Sequence, residues 1–205
     1  MWMAFFIPIL HQIMSKKEKK EKSFIKKHWS NLLFGVFIVL IIIPQTRQPI
    51  QVFLNRIIAF SPSEISQSDR ETLKDYEWYF KNENNQTVNF TQSEGKPVLV
   101  NYWATWCAPC IAEMPDLQEL YSDYKDEVDF YFITSEKPKT VEAFLDKENY
   151  NLPVYYFLSS PPDLLTSSSL PTTFLIDDRG EIVMKKTGAA NWNSKTVRKT
   201  IDKLK

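Results

Sequence analysis

The sequence has little cysteine, glycine or histidine: 2 Cys, 4 Gly and 2 His among 205 residues. Two cysteines allow at most one intramolecular disulfide, which excludes a multi-bridge secreted scaffold and a structural zinc site built from four cysteines. With so few glycines and an apolar fraction of 43%, the chain is neither collagen-like nor disordered. Any role for cysteine here must therefore depend on its reactivity.

The chain also lacks net charge, since 25 basic side chains face 25 acidic ones. A nucleic-acid binder needs a surplus of Lys and Arg to neutralise phosphates, so we expect no nucleic-acid partner. The charges are unevenly distributed along the chain. Residues 15–29 carry seven lysines and two glutamates, whereas residues 61–205 hold 16 basic and 23 acidic side chains.

The most hydrophobic run, LLFGVFIVLIII at residues 32–43, follows the lysine-rich segment directly. A basic flank followed by an uncharged apolar run is typical of a membrane anchor whose lysine side stays in the cytoplasm. The run becomes long enough to span a bilayer when it is extended from Trp29 to Gln48, because a span needs roughly 20 residues. We therefore predict a cytoplasmic tail over residues 1–28 and a single transmembrane helix over 29–48.

Two alternatives to an uncleaved anchor are a cleaved signal peptide and a buried helix of a soluble protein. Cleavage requires small residues in an A-x-A pattern after the apolar run, and the sequence IIIPQTRQPI offers none. Residues 1–13 form a second, shorter apolar stretch without a basic flank ahead of it. Because Met14 stands just before the lysine run, these residues are interpreted as an over-long start.

Residues 49–75 are predicted to join the anchor to a folded domain. From Ile50 to Phe60 the apolar residues have helical spacing, which suits either an amphipathic helix in the outer membrane interface or a continuation of the anchor. From Ser61 to Asp75 the sequence is polar and has no apolar period, which indicates a linker. A domain boundary near residue 75 follows.

Over residues 76–205, segments typical of strands alternate with segments typical of helices. The predicted strands cover residues 78–80, 88–90, 98–102, 128–134, 154–158, 172–176 and 182–186. The predicted helices cover residues 107–124, 138–147 and 194–204. This alternation predicts an α/β fold in which a mainly parallel central sheet carries helices on both faces and ends in an antiparallel edge.

The motif Cys107-Ala108-Pro109-Cys110 follows a predicted strand and opens a predicted helix. A thiolate at a helix N-terminus faces the positive end of the macrodipole and unpaired N–H groups, which lower its pKa. We expect Cys107 to be the attacking thiolate and Cys110, one turn later on the same face, to resolve the mixed disulfide. Pro109 fixes the turn into the helix, where its missing N–H costs nothing.

Other uses of the cysteine pair are weaker. A zinc site would need further ligands, and the two histidines, His11 and His28, both belong to the anchor region. Haem attachment needs a histidine after the second cysteine, where Ile111 stands. A purely structural disulfide across two residues would add little stability. We therefore expect a catalytic dithiol with no metal and no cofactor.

Three motifs in this order resemble the TlpA/ResA family of membrane-anchored, thioredoxin-like thiol-disulfide oxidoreductases. They are NYWATWCAPC at 101–110, EMP at 113–115 and LPTTF at 170–174. The resemblance covers residues 76–205 and implies a thioredoxin-like fold. It also implies a single-pass protein of the bacterial inner (cell) membrane whose domain is periplasmic or extracytoplasmic.

In that family the proline corresponding to Pro171 follows a cis peptide bond and faces the dithiol. The resemblance therefore implies that Leu170, Pro171 and Thr172 hold the substrate chain; the alternative is an ordinary trans proline that opens a strand. Trp106 precedes the nucleophile as in the family and is expected to flank the substrate surface. Pro109 between the cysteines also fits the family.

Ordinary thioredoxins place a buried Asp six residues before the nucleophile, and Asn101, which cannot titrate, takes that position here. The apolar arc of a helical wheel for the following helix contains Ile111, Met114, Leu117, Leu120 and Tyr121. Glu113 falls inside this arc one turn beyond Cys110, and the family has an acid at this place. Glu113 is thus a candidate proton relay; the alternative is a glutamate at the rim that reaches solvent around Pro115.

The resemblance implies an enzyme that reduces protein disulfides outside the cytoplasm. Apocytochrome c cysteines are one candidate target, and a transmembrane donor would have to resupply electrons. The alternatives are a disulfide-forming oxidase of the same fold and a non-catalytic binding or chaperone module held at the membrane. A peroxiredoxin-type peroxidase is disfavoured, because it needs Thr three residues before its cysteine and Ala104 stands there.

Overall fold

The computed structural model describes residues 28–40 and 42–204, and the chain divides into two units between Gln48 and Pro49. Residues 28–40 are helical, and helix α1 (Pro44–Ile58) follows them. Within the described ranges, no helix is both long enough and apolar enough to cross a membrane. Most of the predicted cytoplasmic tail, with its alternative start at Met14, lies outside the described residues.

The second unit is built on a seven-stranded sheet in the order β2-β1-β5-β4-β3-β6-β7. Its strands are β1 (Tyr79–Asn82), β2 (Thr87–Asn89), β3 (Val98–Tyr102), β4 (Asp129–Thr134), β5 (Val154–Phe157), β6 (Thr172–Ile176) and β7 (Ile182–Thr187). Its helices after α1 are α2 (Ala108–Tyr124), α3 (Pro138–Glu148) and α4 (Lys195–Lys203). The predicted thioredoxin-like α/β fold with a central mixed sheet is confirmed.

The expectation of a mainly parallel sheet is wrong. Only β3–β4 and β4–β5 pair in parallel, whereas β1–β2, β1–β5, β3–β6 and β6–β7 pair antiparallel. Antiparallel strands therefore flank the parallel centre on both sides rather than at one edge. The second flank arises because the β1–β2 hairpin turns at Asn85, whose positive φ of 58° closes a tight connection.

In the described residues, α2, α3 and α4 lie on one face of the sheet, contrary to the prediction of helices on both faces. The residues of α2, α3 and α4 that reach the core all belong to one cluster, together with Leu99 and Phe132. The crossovers β3–α2–β4 and β4–α3–β5 step across the sheet in the same direction, and right-handed crossovers that do so place both helices on one face. That face carries the helix that begins at the dithiol.

The opposite face of the sheet is covered by aromatic side chains and short 3₁₀ turns. The rings of Trp78 and Phe80 lie 4.3 Å apart, and both are fully buried with Phe90. The 3₁₀ turns Phe90–Ser93 and Asp163–Leu165 close this layer, and each buries an apolar residue. No α-helix of the described chain contributes to this second cluster.

The segment predicted as a polar linker lies against the β6–β7 hairpin. The Ile65 N–H donates to the carbonyl of Val183 at 2.8 Å, and the Leu73 N–H donates to the carbonyl of Gly180 at 2.8 Å. Leu73 itself is buried. Part of residues 61–75 therefore belongs to the folded layer that precedes β1.

Candidate active site

Cys107 is the N-cap of α2, and Cys110 lies in its first turn. The two are joined by a disulfide with a Cα–Cα distance of 5.2 Å, and the Cys110 N–H points at Cys107 Sγ at 3.3 Å. Cys107 is 5% exposed and Cys110 1%. Cys107 is thus the slightly more exposed residue of the pair, and it lies at the helix N-terminus, where a thiolate is stabilised.

The loop between β3 and α2 is held from the neighbouring strand. Its backbone turns at Ala104, whose carbonyl accepts the Cys107 N–H at 3.2 Å. Glu136, two residues after β4, accepts the Thr105 N–H at 2.6 Å and the Thr105 hydroxyl at 2.8 Å. Sequence reasoning missed Glu136; the available signal was an acidic residue just after a strand parallel to β3, because such strands end at the same edge of the sheet.

The peptide bond between Leu170 and Pro171 is cis, as the resemblance implies. Strand β6 begins at Thr172, which pairs with Tyr102 at the end of β3, so the cis-proline adjoins the edge from which the dithiol loop leaves. The Thr172 hydroxyl donates to the carbonyl of Ser169 at 2.9 Å and fixes the entry into the strand. That Leu170, Pro171 and Thr172 bind a substrate chain stays a prediction.

Trp106 and Pro109 lie where the sequence predicted them. Trp106 is 68% exposed directly before the nucleophile, and Leu170 is also partly exposed at 36%. Pro109 lies in the first turn of α2. Trp106 and Leu170 are thus exposed apolar residues in two segments, after β3 and before β6, that meet at one edge of the sheet. Their use by a substrate stays a prediction.

Glu113 is buried in the core at 1% exposure, which excludes the alternative of a solvent-reaching rim residue. Its Oε1 accepts the Asn101 amide N–H at 2.9 Å, and its Oε2 accepts the Ala190 N–H at 3.2 Å. Desolvation raises the pKa of Glu113 to about 8, although both hydrogen bonds oppose that rise. A carboxyl that titrates near neutral pH suits a proton relay, and this role stays a prediction.

The indole N–H of Trp192 also faces this carboxyl and favours its ionised form. Among the described residues this N–H has no partner within hydrogen-bonding geometry, so we treat it as a nearby dipole rather than as a donor. Sequence reasoning missed Trp192 and Ala190, because they reach Glu113 from the loop after β7. In the described part of the chain, no group of three or more His, Cys, Asp or Glu is placed to hold a metal ion.

Residues 68–203 match the Redoxin family. The chain belongs to this family. It is 38% identical over 99 residues to the thiol-disulfide oxidoreductase ResA of Oceanobacillus iheyensis, covering 47% of this chain and 52% of that protein. It is 31% identical over 127 residues to the thioredoxin-like protein YneN of Bacillus subtilis, covering 60% of this chain and 74% of that protein.

These relatives confirm the TlpA/ResA-type resemblance, although the match spans only about half the length of the ResA protein, 52% of it. Among solved structures, the chain is similar to a DsbF homologue from Corynebacterium diphtheriae, with a TM-score of 0.54 and 21% identity. That likeness covers 71% of this chain and 99% of the other, and it supports the fold alone.

Proposed function

We propose that this protein is a membrane-anchored thiol-disulfide oxidoreductase that reduces protein disulfides outside the cytoplasm. The observation that carries the proposal is the Cys107–Cys110 pair at the N-terminus of α2, at the edge of the sheet where β3 ends and β6 begins. The helix N-terminus stabilises a Cys107 thiolate, and the adjacent β6 entry offers backbone groups to an extended chain.

The reaction begins from the reduced pair. The Cys107 thiolate attacks one sulfur of a substrate disulfide, the other substrate sulfur leaves as a thiolate, and a mixed disulfide forms. Cys110 then transfers its proton to Glu113 and attacks Cys107 Sγ, which releases the second substrate thiolate. The substrate gains two electrons, and the chain is left with the Cys107–Cys110 disulfide seen in the structure.

Glu113 serves this second step because its carboxyl exchanges protons near the working pH. Burial raises the pKa of Glu113 to about 8, so both its neutral and its ionised forms are accessible near neutrality. A neutral glutamate also adds no negative charge beside Cys110. The re-reduction of the disulfide requires an electron donor, and we assign this role to a transmembrane protein.

The substrate class we propose is polypeptides with exposed disulfides, with apocytochrome c cysteines as one candidate target. The exposed Trp106 and Leu170 would contact apolar residues next to the substrate cysteine. The name thiol-disulfide oxidoreductase, which the ResA relative carries, fits either direction of exchange, and the TlpA/ResA resemblance is our reason for choosing reduction. The reduction potential of the pair separates the two directions.

We assign the domain to the extracytoplasmic side of the bacterial inner membrane, with residues 29–48 as the anchor. Support comes from the lysine-rich flank and from the large apolar side chains of residues 32–43, most of which are exposed on the chain. So many exposed apolar side chains indicate a lipid or protein environment rather than water. The helical residues 49–58 either lie in the outer interface or continue the anchor.

Insulin-disulfide reduction by the full chain in detergent micelles tests the activity. We expect turnover by the wild type, none by Cys107→Ser, and accumulation of mixed disulfides with Cys110→Ser. Insulin reduction that survives Cys107→Ser would instead favour a binding or chaperone module. A reduction potential close to about −120 mV, the value of a strong periplasmic oxidant, would overturn the reductive direction.

A further inference from the structure

Asn101 lies between Glu113 and the strand that carries the cis-proline. Both hydrogens of its side-chain amide are used: Nδ2 donates to Glu113 Oε1 at 2.9 Å and to Thr173 Oγ1 at 2.7 Å. All three side chains are buried at 1% exposure or less. The amide oxygen of Asn101, in contrast, is buried with no hydrogen-bond partner among the described residues.

We propose that Asn101 and Thr173 are positioning residues that follow the proton of Glu113: the two hydrogen bonds of the Asn101 amide, to Glu113 and to Thr173, reverse direction when the carboxyl changes its protonation state. The inference rests on the proposed function, in which Glu113 receives the proton of Cys110. It explains why a side chain that cannot titrate stands where ordinary thioredoxins have a buried Asp.

The fixed donor in the site is the backbone N–H of Ala190, which points at Glu113 Oε2 at 3.2 Å. A backbone N–H cannot become an acceptor, so a proton that arrives on Glu113 is better placed on Oε1, the oxygen that faces Asn101, than on Oε2. With the amide as it stands, an N–H donor would then face an O–H donor. One of the two groups must turn.

The Asn101 amide can turn because its two ends have the same shape and opposite polarity. A rotation of 180° about the last side-chain bond exchanges the two ends, so that Oδ1 takes the place of Nδ2. The NH₂ group then takes the place in which Oδ1 has no partner among the described residues. Oδ1 then accepts the Glu113 O–H and the Thr173 O–H, because a threonine hydroxyl can donate as well as accept. The ionised carboxylate of Glu113 thus accepts hydrogen bonds from the N–H groups of Asn101 and Ala190. After the rotation, the neutral carboxyl donates its O–H to Asn101 Oδ1, which also accepts the Thr173 O–H.

The proton balance is simple. The Cys110 S–H gives its proton to Glu113 Oε1, which lies one helical turn further along α2, and Cys110 is left as the attacking thiolate.

The charged group whose field reaches Glu113 is Asp116, on the same helix. From β3, β6 and the loop after β7, the groups that face the network are neutral: Asn101, Thr173, the Ala190 N–H and the Trp192 indole.

Nuclear magnetic resonance of the full chain in micelles tests this arrangement directly. The Glu113 carboxyl carbon, assigned with Glu113→Gln, is titrated in the oxidised protein, and the side-chain amide of Asn101 is followed in the same samples. We expect the Asn101 amide signals to change with the same midpoint as Glu113. Asn101 signals that stay constant through the Glu113 transition would overturn the proposal.

Thr173→Val provides the second measurement. When Glu113 is ionised, loss of the Thr173 hydroxyl leaves one Asn101 N–H without its acceptor. When Glu113 is neutral, Asn101 Oδ1 loses one of its two hydrogen bonds and keeps the other. The loss is milder in the neutral state, because an orphaned buried N–H is the rarer and costlier case. The Glu113 midpoint should therefore rise, by roughly half to one pH unit. Thr173→Ser should restore it, and Thr200→Val, which removes a buried hydroxyl bonded to Glu64, should leave it unchanged.

A Glu113 midpoint that is the same in wild type and Thr173→Val would contradict the coupling even if Asn101 reported the titration. Neither readout needs disulfide exchange, so failure of the proposed function leaves them intact: a protein with no insulin reduction can still show the linked titration. If Thr173→Val fails to fold, the wild-type titration of Asn101 and the Thr173→Ser variant still decide the matter.

Discussion

The carboxylate of Glu136 accepts both the backbone N–H of Thr105, at 2.6 Å, and its hydroxyl, at 2.8 Å. Thr105 lies two residues ahead of Cys107, and the intervening Trp106 has its side chain in solvent. A carboxylate from just beyond β4 therefore helps to fix the loop ahead of Cys107.

We expect Glu136→Gln to loosen the loop, because a glutamine side chain has only one oxygen and places an NH₂ group against the second donor. Losing a hydrogen bond to a charged group costs about 1.5–3 kcal/mol, so insulin reduction should fall at least about tenfold. The measurement is the rate of insulin reduction together with the alkylation rate of Cys107 in the reduced protein. Glu142→Gln, on the exposed side of α3, is the matched control, and equal rates in the two variants would rule out the positioning role.

The burial of Glu113 predicts a pH-dependent stability. Its pKa in the folded chain is about 8, against an ordinary value of 4.5. Between these two values the unfolded chain releases a proton that the folded chain keeps, so stability falls as pH rises from 4.5 to 8 and is level above. Glu113→Gln should remove this fall, on the order of 5 kcal/mol in total.

Urea denaturation of the oxidised wild type and of Glu113→Gln, at pH values from 4 to 9, measures this effect. The stability curve of the wild type should descend towards alkaline pH, and that of the glutamine variant should be flatter and lie above it at pH 9. Parallel curves would show that Glu113 is ionised in the folded state. Glu142→Gln should reproduce the wild-type descent.

The sequence was most informative where a strand is buried on both faces. The predicted strands 98–102 and 172–176 match β3 and β6 residue for residue. Such strands are short apolar runs bounded by polar residues or by proline, and the run itself marks both ends. The dithiol, the cis-proline and Glu113 could be predicted because each belongs to a local motif or to one helical face.

The sequence could not identify the site residues that come from distant segments of the chain. Hydrophobic periodicity does not show on which side of β4 the next strand, β5, pairs. It therefore could not predict that α2 and α3 lie on the same face of the sheet. Glu136, Ala190 and Trp192 reach the site only through that topology. The segment around Ile65 and Leu73 joins the domain through backbone hydrogen bonds, which leave no mark in the side-chain pattern.

Residues 61–75 contact the turn between β6 and β7, and this contact predicts that two glycines with nearly the same φ respond differently to substitution. Gly95 and Gly180 have φ of +80° and +81°. A Cβ at Gly95 would meet nothing within 4 Å, whereas a Cβ at Gly180 would lie 2.8 Å from Tyr76 Oη and 2.9 Å from the carbonyl oxygen of Leu73. We expect Gly95→Ala to cost about 1 kcal/mol and Gly180→Ala about 2–4 kcal/mol.

The free energies of unfolding, measured in urea at one pH, give the comparison directly. Gly95→Ala, at nearly the same φ, is the control for backbone strain. The difference between the two losses therefore measures the steric clash at Gly180. Equal losses in the two variants would mean that the segment at Leu73 does not lie against Gly180 in solution.

Trp106 provides a test of substrate binding separate from the chemistry. Its side chain is 68% exposed and does not belong to the core, so Trp106→Ala should leave the fold intact. We expect the kcat/KM for a protein disulfide to fall roughly tenfold, and that for a small aromatic disulfide to change by less than about twofold. Leu158→Ala, also large, apolar and exposed, is the control outside the predicted substrate surface. A uniform loss for both substrates would assign Trp106 to positioning of Cys107 instead.

The proposed anchor can be mapped with single spin labels, because the chain has only the two active-site cysteines. In a Cys107→Ser/Cys110→Ser background reconstituted in lipid nanodiscs, a label at Phe37 should be accessible to oxygen and protected from a water-soluble nickel complex. A label at Lys185, on an exposed position of β7, should show the reverse.

Labels at Ile57 and Asn55 then separate the two interpretations of α1. If the helix lies in the outer interface, Ile57 should report lipid and Asn55 should report water or protein, because the two positions lie on different sides of an amphipathic helix. If the anchor continues through α1, both should report lipid. Nickel accessibility at Phe37 equal to that at Lys185 would refute membrane insertion altogether, since an apolar run inside the bilayer has no contact with the aqueous complex.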